Sequence, residues 1–182
     1  MSPLRLFCIV FLVASCAIAQ NVPTVEQAES ACGSSSTNFA VKTSRTQKRL
    51  PQPEAGKGTI YVIEDWDPVD TGRINRPTVR VGMDGKWMGA TQGDSYLFFS
   101  ADSGLRHLCV NNQSAIRSYG SFVYLTAAYG LNVKPDQTYY FRVRMPRGGT
   151  STSFSIILEP VNIDEAQLLL AEYAHATSTA KK

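Results

Sequence analysis

Residues 79–111 read VRVGMDGKWMGATQGDSYLFFSADSGLRHLCVN. Two short alternating runs, 78–83 and 86–90, flank Asp84-Gly85. An Asp-Gly pair between such runs predicts a tight hairpin, because a type I′ turn needs positive φ at both central residues. A second pair of runs follows, 95–100 and 105–111, joined by Ala101-Asp102-Ser103-Gly104. Four strands in about 35 residues is the spacing of an all-β sandwich or barrel.

Outward from this stretch the same period continues. Upstream, Gly58–Glu64 (GTIYVIE) is a continuous β-branched and aromatic run, which predicts a central strand. Downstream, 119–129 predicts a strand buried on both faces, with Phe122 and Tyr124 against Val123 and Leu125. Gln137–Arg144 follows after Lys134-Pro135-Asp136, with Arg142 and Arg144 on one face and Phe141 and Val143 on the other. Residues 152–159 close the β region. The period then changes. Asn162 is a candidate N-cap with Glu165 three residues on, and Ile163, Ala166, Leu170 and Tyr173 recur at helical steps. This predicts an amphipathic helix over 161–177, docked on the sandwich or covering an edge strand, with 178–182 as a tail.

Toward the N-terminus, 43–57 reads as a polar linker, 38–42 as a weak strand, and Thr24–Gln27 as a capping box opening a short helix that ends before Gly33. Residues 1–19 read as a secretory signal peptide. Arg5 supplies the charge, Leu6–Val13 the apolar run, and Ala17-Ile18-Ala19 the cleavage site. The run is too short to span a bilayer. A rival processing event stays open: Val13-Ala14-Ser15-Cys16 has the form of a lipobox, in which Cys16 would carry a lipid anchor.

An exported chain of 182 residues with 43% hydrophobic and 18% charged residues has enough apolar material for one domain and too little charge for disorder. A net charge of +3, with scattered Lys and Arg, offers no nucleic-acid stripe. Once the leader is set aside, Cys32 and Cys109 remain and are expected to pair in an oxidising compartment. No CxxC or metal-ligand spacing is present, so neither metal nor cofactor is expected.

No catalytic constellation stands out. Gly93-Asp94-Ser95 resembles the nucleophile block of a secreted esterase family, but Ser95 lies between two strand runs and lacks a partnered histidine. His107 alternates with Leu105 and Cys109 and is expected to be buried facing the bridge, and His175 is expected beside a helix end. The Glu64–Asp70 loop (Glu64, Asp65, Asp67, Asp70) around Trp66 offers carboxylates without the spacing of a calcium loop. Trp66, Trp87, Tyr61, Tyr96, Tyr119 and Tyr124 are candidates for a sugar-stacking face, with core packing as the alternative. Asn112-Gln113-Ser114 is a glycosylation sequon.

Five blocks carry a likeness: 58–62, 79–89, 93–99, 104–110 and 138–142, in that order. Together they resemble a family of exported bacterial domains of unknown function, common in acidobacterial genomes and often lipoproteins. The chain departs from it at Ser103-Gly104, where the family has Pro-Gly, and at Glu64-Asp65, where it has Arg. The resemblance implies an envelope-located β-sandwich and no assigned activity.

The expectation is therefore an antiparallel β-sandwich, transthyretin- or immunoglobulin-like, over 58–160, preceded by a helix and linker over 20–57. Its function is expected to be non-catalytic binding or structure in the cell envelope, toward a protein or glycan. The alternative is a small hydrolase using Ser95 or the Glu64–Asp70 carboxylates.

Overall fold

The computed structural model describes residues 32–46, 54–66, 76–118, 120–146 and 154–181. The expected leader with Cys16, the expected capping box at Thr24, and the residues Asp67, Asp70 and Tyr119 lie outside the described residues.

Among the described residues the fold is mostly β, in two principal sheets with one short helix. Its elements are β1 (Phe39–Ser44), β2 (Lys57–Glu64), β3 (Thr78–Met83), β4 (Lys86–Gln92), β5 (Ser95–Asp102), β6 (Gly104–Asn112), β7 (Ile116–Ser118), β8 (Ser121–Val123), β9 (Thr126–Val133), β10 (Thr138–Arg144), β11 (Ile157–Pro160), α1 (Ile163–Glu172) and β12 (Ala174–Ala180). One sheet runs β1-β12-β5-β2-β10-β11, the other β4-β3-β6-β9, and β7 and β8 form a separate hairpin. Two pairings, β2 with β10 and β5 with β12, are parallel.

The Asp84-Gly85 reversal is present. Asp84 sits at φ 49° and Gly85 at φ 77°, and Met83 faces Lys86 across the turn. The second pair of runs behaves differently. β5 joins the six-stranded sheet against β2, and β6 joins the four-stranded sheet between β3 and β9. The link over Ser103-Gly104 is thus a crossing between sheets, not a hairpin. Alternation decides this. Leu97 and Leu108 both point into the same core from opposite sheets, with Ile60, Val62, Val81, Val110 and Phe141.

Three expectations are corrected. The helix ends at Glu172 rather than 177, and residues expected as helix end and tail form β12. The sequence Ala174–Ala180 (AHATSTA) has no apolar helical stripe, while its strand form pairs over six residues with β1 and joins β5. The supposed linker is strand as far as Ser44, for the same reason. The strand expected over 119–129 breaks into β8 and β9, and Phe122 and Tyr124 stand exposed. Two hydrogen bonds with Asn112 hold the chain at the break: the Leu125 N–H donates to Asn112 Oδ1, and the Asn112 backbone N–H to Leu125 O.

The helix starts as its cap predicts. Asn162 Oδ1 accepts from the Glu165 N–H at 2.9 Å. Ala166 and Leu169 dock on the outer face of the six-stranded sheet, against Tyr61, Ile63 and Tyr96.

Candidate functional site

The two sheets carry different outer faces. On the four-stranded sheet, Arg80, Cys109 and Asn111 alternate with the core residues Val79, Val81, Leu108 and Val110. That face is covered by residues 32–37. The Cys32–Cys109 disulfide anchors the segment, with 5.3 Å between the Cα atoms. Arg80, only 2% exposed, donates from one terminal nitrogen to Ser35 O and Thr37 O, both at 3.0 Å. Its Nε and other terminal nitrogen donate to Asn111 Oδ1. Its guanidinium lies 4.8 Å over the Trp87 ring, whose Nε1 donates to Ser34 O at 2.8 Å. Gly82 is required here because a Cβ would overlap Cys32 O and the Trp87 ring. Trp87 is thus a structural anchor of the strap.

The six-stranded sheet carries a row of rings. His175 stacks on Phe98 (centroids 5.1 Å apart, planes at 25°). Phe98 packs against Tyr61 at 5.4 Å, and Tyr61 stacks on Tyr140 at 5.2 Å and 26°. Tyr96 tilts against both His175 and Tyr61. The row crosses β12, β5, β2 and β10 because each ring occupies the outward position of its strand. Tyr61, Tyr96 and His175 are buried, whereas Phe98 and Tyr140 stay half-open. Burial, with the nearby Tyr140 and Tyr96 hydroxyls, pushes the Tyr61 phenol up to about 12. Burial holds the His175 imidazole below its usual range, so it is neutral at pH 7, and its Nδ1 has no hydrogen-bond partner. His175 is therefore a core member of a strand rather than a group at a helix end.

Beside the row lies an ion cluster. Arg142 bonds Glu159 and Glu165, both at 2.6 Å, and sits 3.7 Å from Asp65. Hydrogen bonding from Arg142 holds the Glu159 carboxyl below the usual carboxylate range. Tyr173 donates to Asp65 Oδ1 at 2.6 Å. The cluster ties α1 and β11 to the sheet.

Two of the hydrolase candidates, Glu64 and Ser95, are brought together, but in the interior. Glu64 and Ser95 face each other across β2 and β5, on the inward side. The Ser95 hydroxyl is spent in the turn, accepting from the Gln92 N–H at 3.0 Å and donating to Gln92 O. His175 is near in sequence register but on the opposite face, with Tyr96. Glu64 is 2% exposed, and neither carboxyl oxygen has a hydrogen-bond partner. Burial, with a smaller push from Asp94, raises its pKa to about 8; the Thr91 hydroxyl and the Gly93 N–H, near the carboxyl but short of hydrogen-bond geometry, and Arg76 oppose the rise. A pKa raised that far favours the protonated form at pH 7.

Other candidates separate. The His107 side chain is 69% exposed beside Asp84, not buried against the bridge, because the β6 end reaches past the covering strap. Asn112 is buried, and its amide donates to Ser114 O at 2.6 Å, so the folded sequon presents no free acceptor. Of the proposed stacking residues, Tyr61 and Tyr96 share the ring row, Trp87 lies on the other sheet, and Tyr124 is outside both. Phe98 and Tyr140 join the row without having been singled out, their period-two spacing from Tyr96 and Arg142 being the available signal, and His175 joins it as a strand residue rather than at a helix end. Among the described residues no group of three or more His, Cys, Asp or Glu is placed to hold a metal, and no helix is long and apolar enough to cross a membrane.

Fold and site together define a disulfide-stapled, two-sheet β protein whose outer aromatic row is partly covered by α1 and leaves Phe98 and Tyr140 half-exposed. No protein-family model, curated protein or solved structure matches the chain.

Proposed function

We propose that this protein is an exported, non-catalytic binding module of the bacterial cell envelope, with the ring row as its recognition surface. The observation that carries the reading is the half-open pair Phe98 and Tyr140 on either side of buried Tyr61. Rigid rings held on strands give a sugar or an apolar side chain a stacking surface at small entropic cost. Export rests on the leader and on the Cys32–Cys109 bridge, which an oxidising compartment favours. A lipid anchor at Cys16 is the tethered form of the same module. The strand order supports an immunoglobulin-like variant: β5-β2 and β4-β3-β6-β9 follow the order of strands E-B and C′-C-F-G. Here β10 takes the place beside β2 in parallel. The likeness to the exported family of unknown function agrees with this reading and adds no chemistry.

The test is a titration of the oxidised protein with solubilised cell-wall glycan, run beside a broad hydrolase panel. Binding that falls about tenfold or more in Phe98→Ala and Tyr140→Ala supports the module. Turnover that disappears in Ser95→Ala or Asp67→Asn overturns it in favour of a hydrolase.

A further inference from the structure

Four strands end the two sheets, and three of them are blunted. β1 carries the exposed Lys42. The β4 edge is met by β12, whose Ser178 hydroxyl accepts from the Ala90 N–H at 3.0 Å. β11 is four residues long and ends in Glu159-Pro160. These are the devices by which proteins prevent strand addition. β9 carries neither charge nor proline, and β11 of the other sheet approaches it without pairing. It runs for eight residues in unbroken register with β6. Ala128, Tyr129 and Gly130 at its middle are exposed, and a Cβ on Gly130 would meet nothing. Among the described residues no strand pairs with its free side.

We infer that β9 is a homodimer interface, pairing antiparallel with β9 of a second copy about a two-fold axis near Tyr129 and Gly130. Self-pairing suits this strand because it places no like charges opposite one another. The inference is independent of the proposed ligand face, which lies on the other sheet.

Sedimentation equilibrium of the oxidised protein across micromolar concentrations tests it. The expected result is a mass rising to twice that of the chain, with dissociation at least about tenfold easier in Gly130→Lys, which sets two cations beside the axis. Amide exchange gives a second readout that needs no variant: β9 amides slow as concentration rises, and β11 amides do not. A monomer throughout, or a dimer indifferent to Gly130→Lys with β9 exchange unchanged, overturns the inference.

Discussion

Glu64 is the residue whose environment conflicts most with its chemistry. Its strand partners Ile60 and Val62 point into the core, and period two carries Glu64 to the same side. The folded state holds the proton up to about pH 8, whereas the ordinary value is 4.5. Between those limits the unfolded chain has lost the proton and the folded chain keeps it. Stability therefore falls as pH rises, at up to about 1.4 kcal/mol per pH unit, and is least penalised below pH 4.5. Glu64→Gln removes the titration while keeping the shape. Urea midpoints at pH 5 and pH 8 should show the variant gaining on the wild type by about 2–4 kcal/mol over that interval. A constant difference between the two pH values would mean that Glu64 is ionised in the folded protein.

At the level of single elements, α1 shows how a local signal and a long-range one divide a segment. Its start is local: Asn162 caps, and Asp164 and Glu165 occupy the first turn. Asn162→Ala should cost about 1 kcal/mol, read as a lower denaturation midpoint with an unchanged slope. Its end is not local. Tyr173 is drawn to Asp65, the Ala174 N–H reaches Asp94 O, and the chain then fills the gap between β1 and β5. Helical spacing through Tyr173 was visible in the sequence; the partners that stop the helix are over a hundred residues away in the case of Asp65.

For the molecule as a whole, the disulfide joins residues 77 apart in sequence and closes the strap over one sheet. In the chain-entropy view such a loop is worth about 4 kcal/mol. Cys32→Ser with Cys109→Ser should lower the unfolding free energy by about 2–4 kcal/mol and open Arg80 and Trp87 to solvent. Trp87 emission shifting to the red in the folded double variant would report the second effect. An unshifted spectrum would show that the Arg80 and Trp87 hydrogen bonds hold the strap without the bridge.

Alternation, turn chemistry and a cap are properties of neighbours along the chain, so residues 78–92, the central strand at 58–64 and the start of the helix were readable from the sequence. The cysteine pair was readable too, because assigning Cys8 and Cys16 to an expected leader left Cys32 and Cys109 to pair. Which sheet each strand joins was not readable, since β5 and β6 have similar patterns and differ only in their distant partners. The same holds for the ring row, whose members come from four strands brought together by parallel and antiparallel pairing. A site assembled across strands depends on register, and register is set by burial of the entire core rather than by any segment alone.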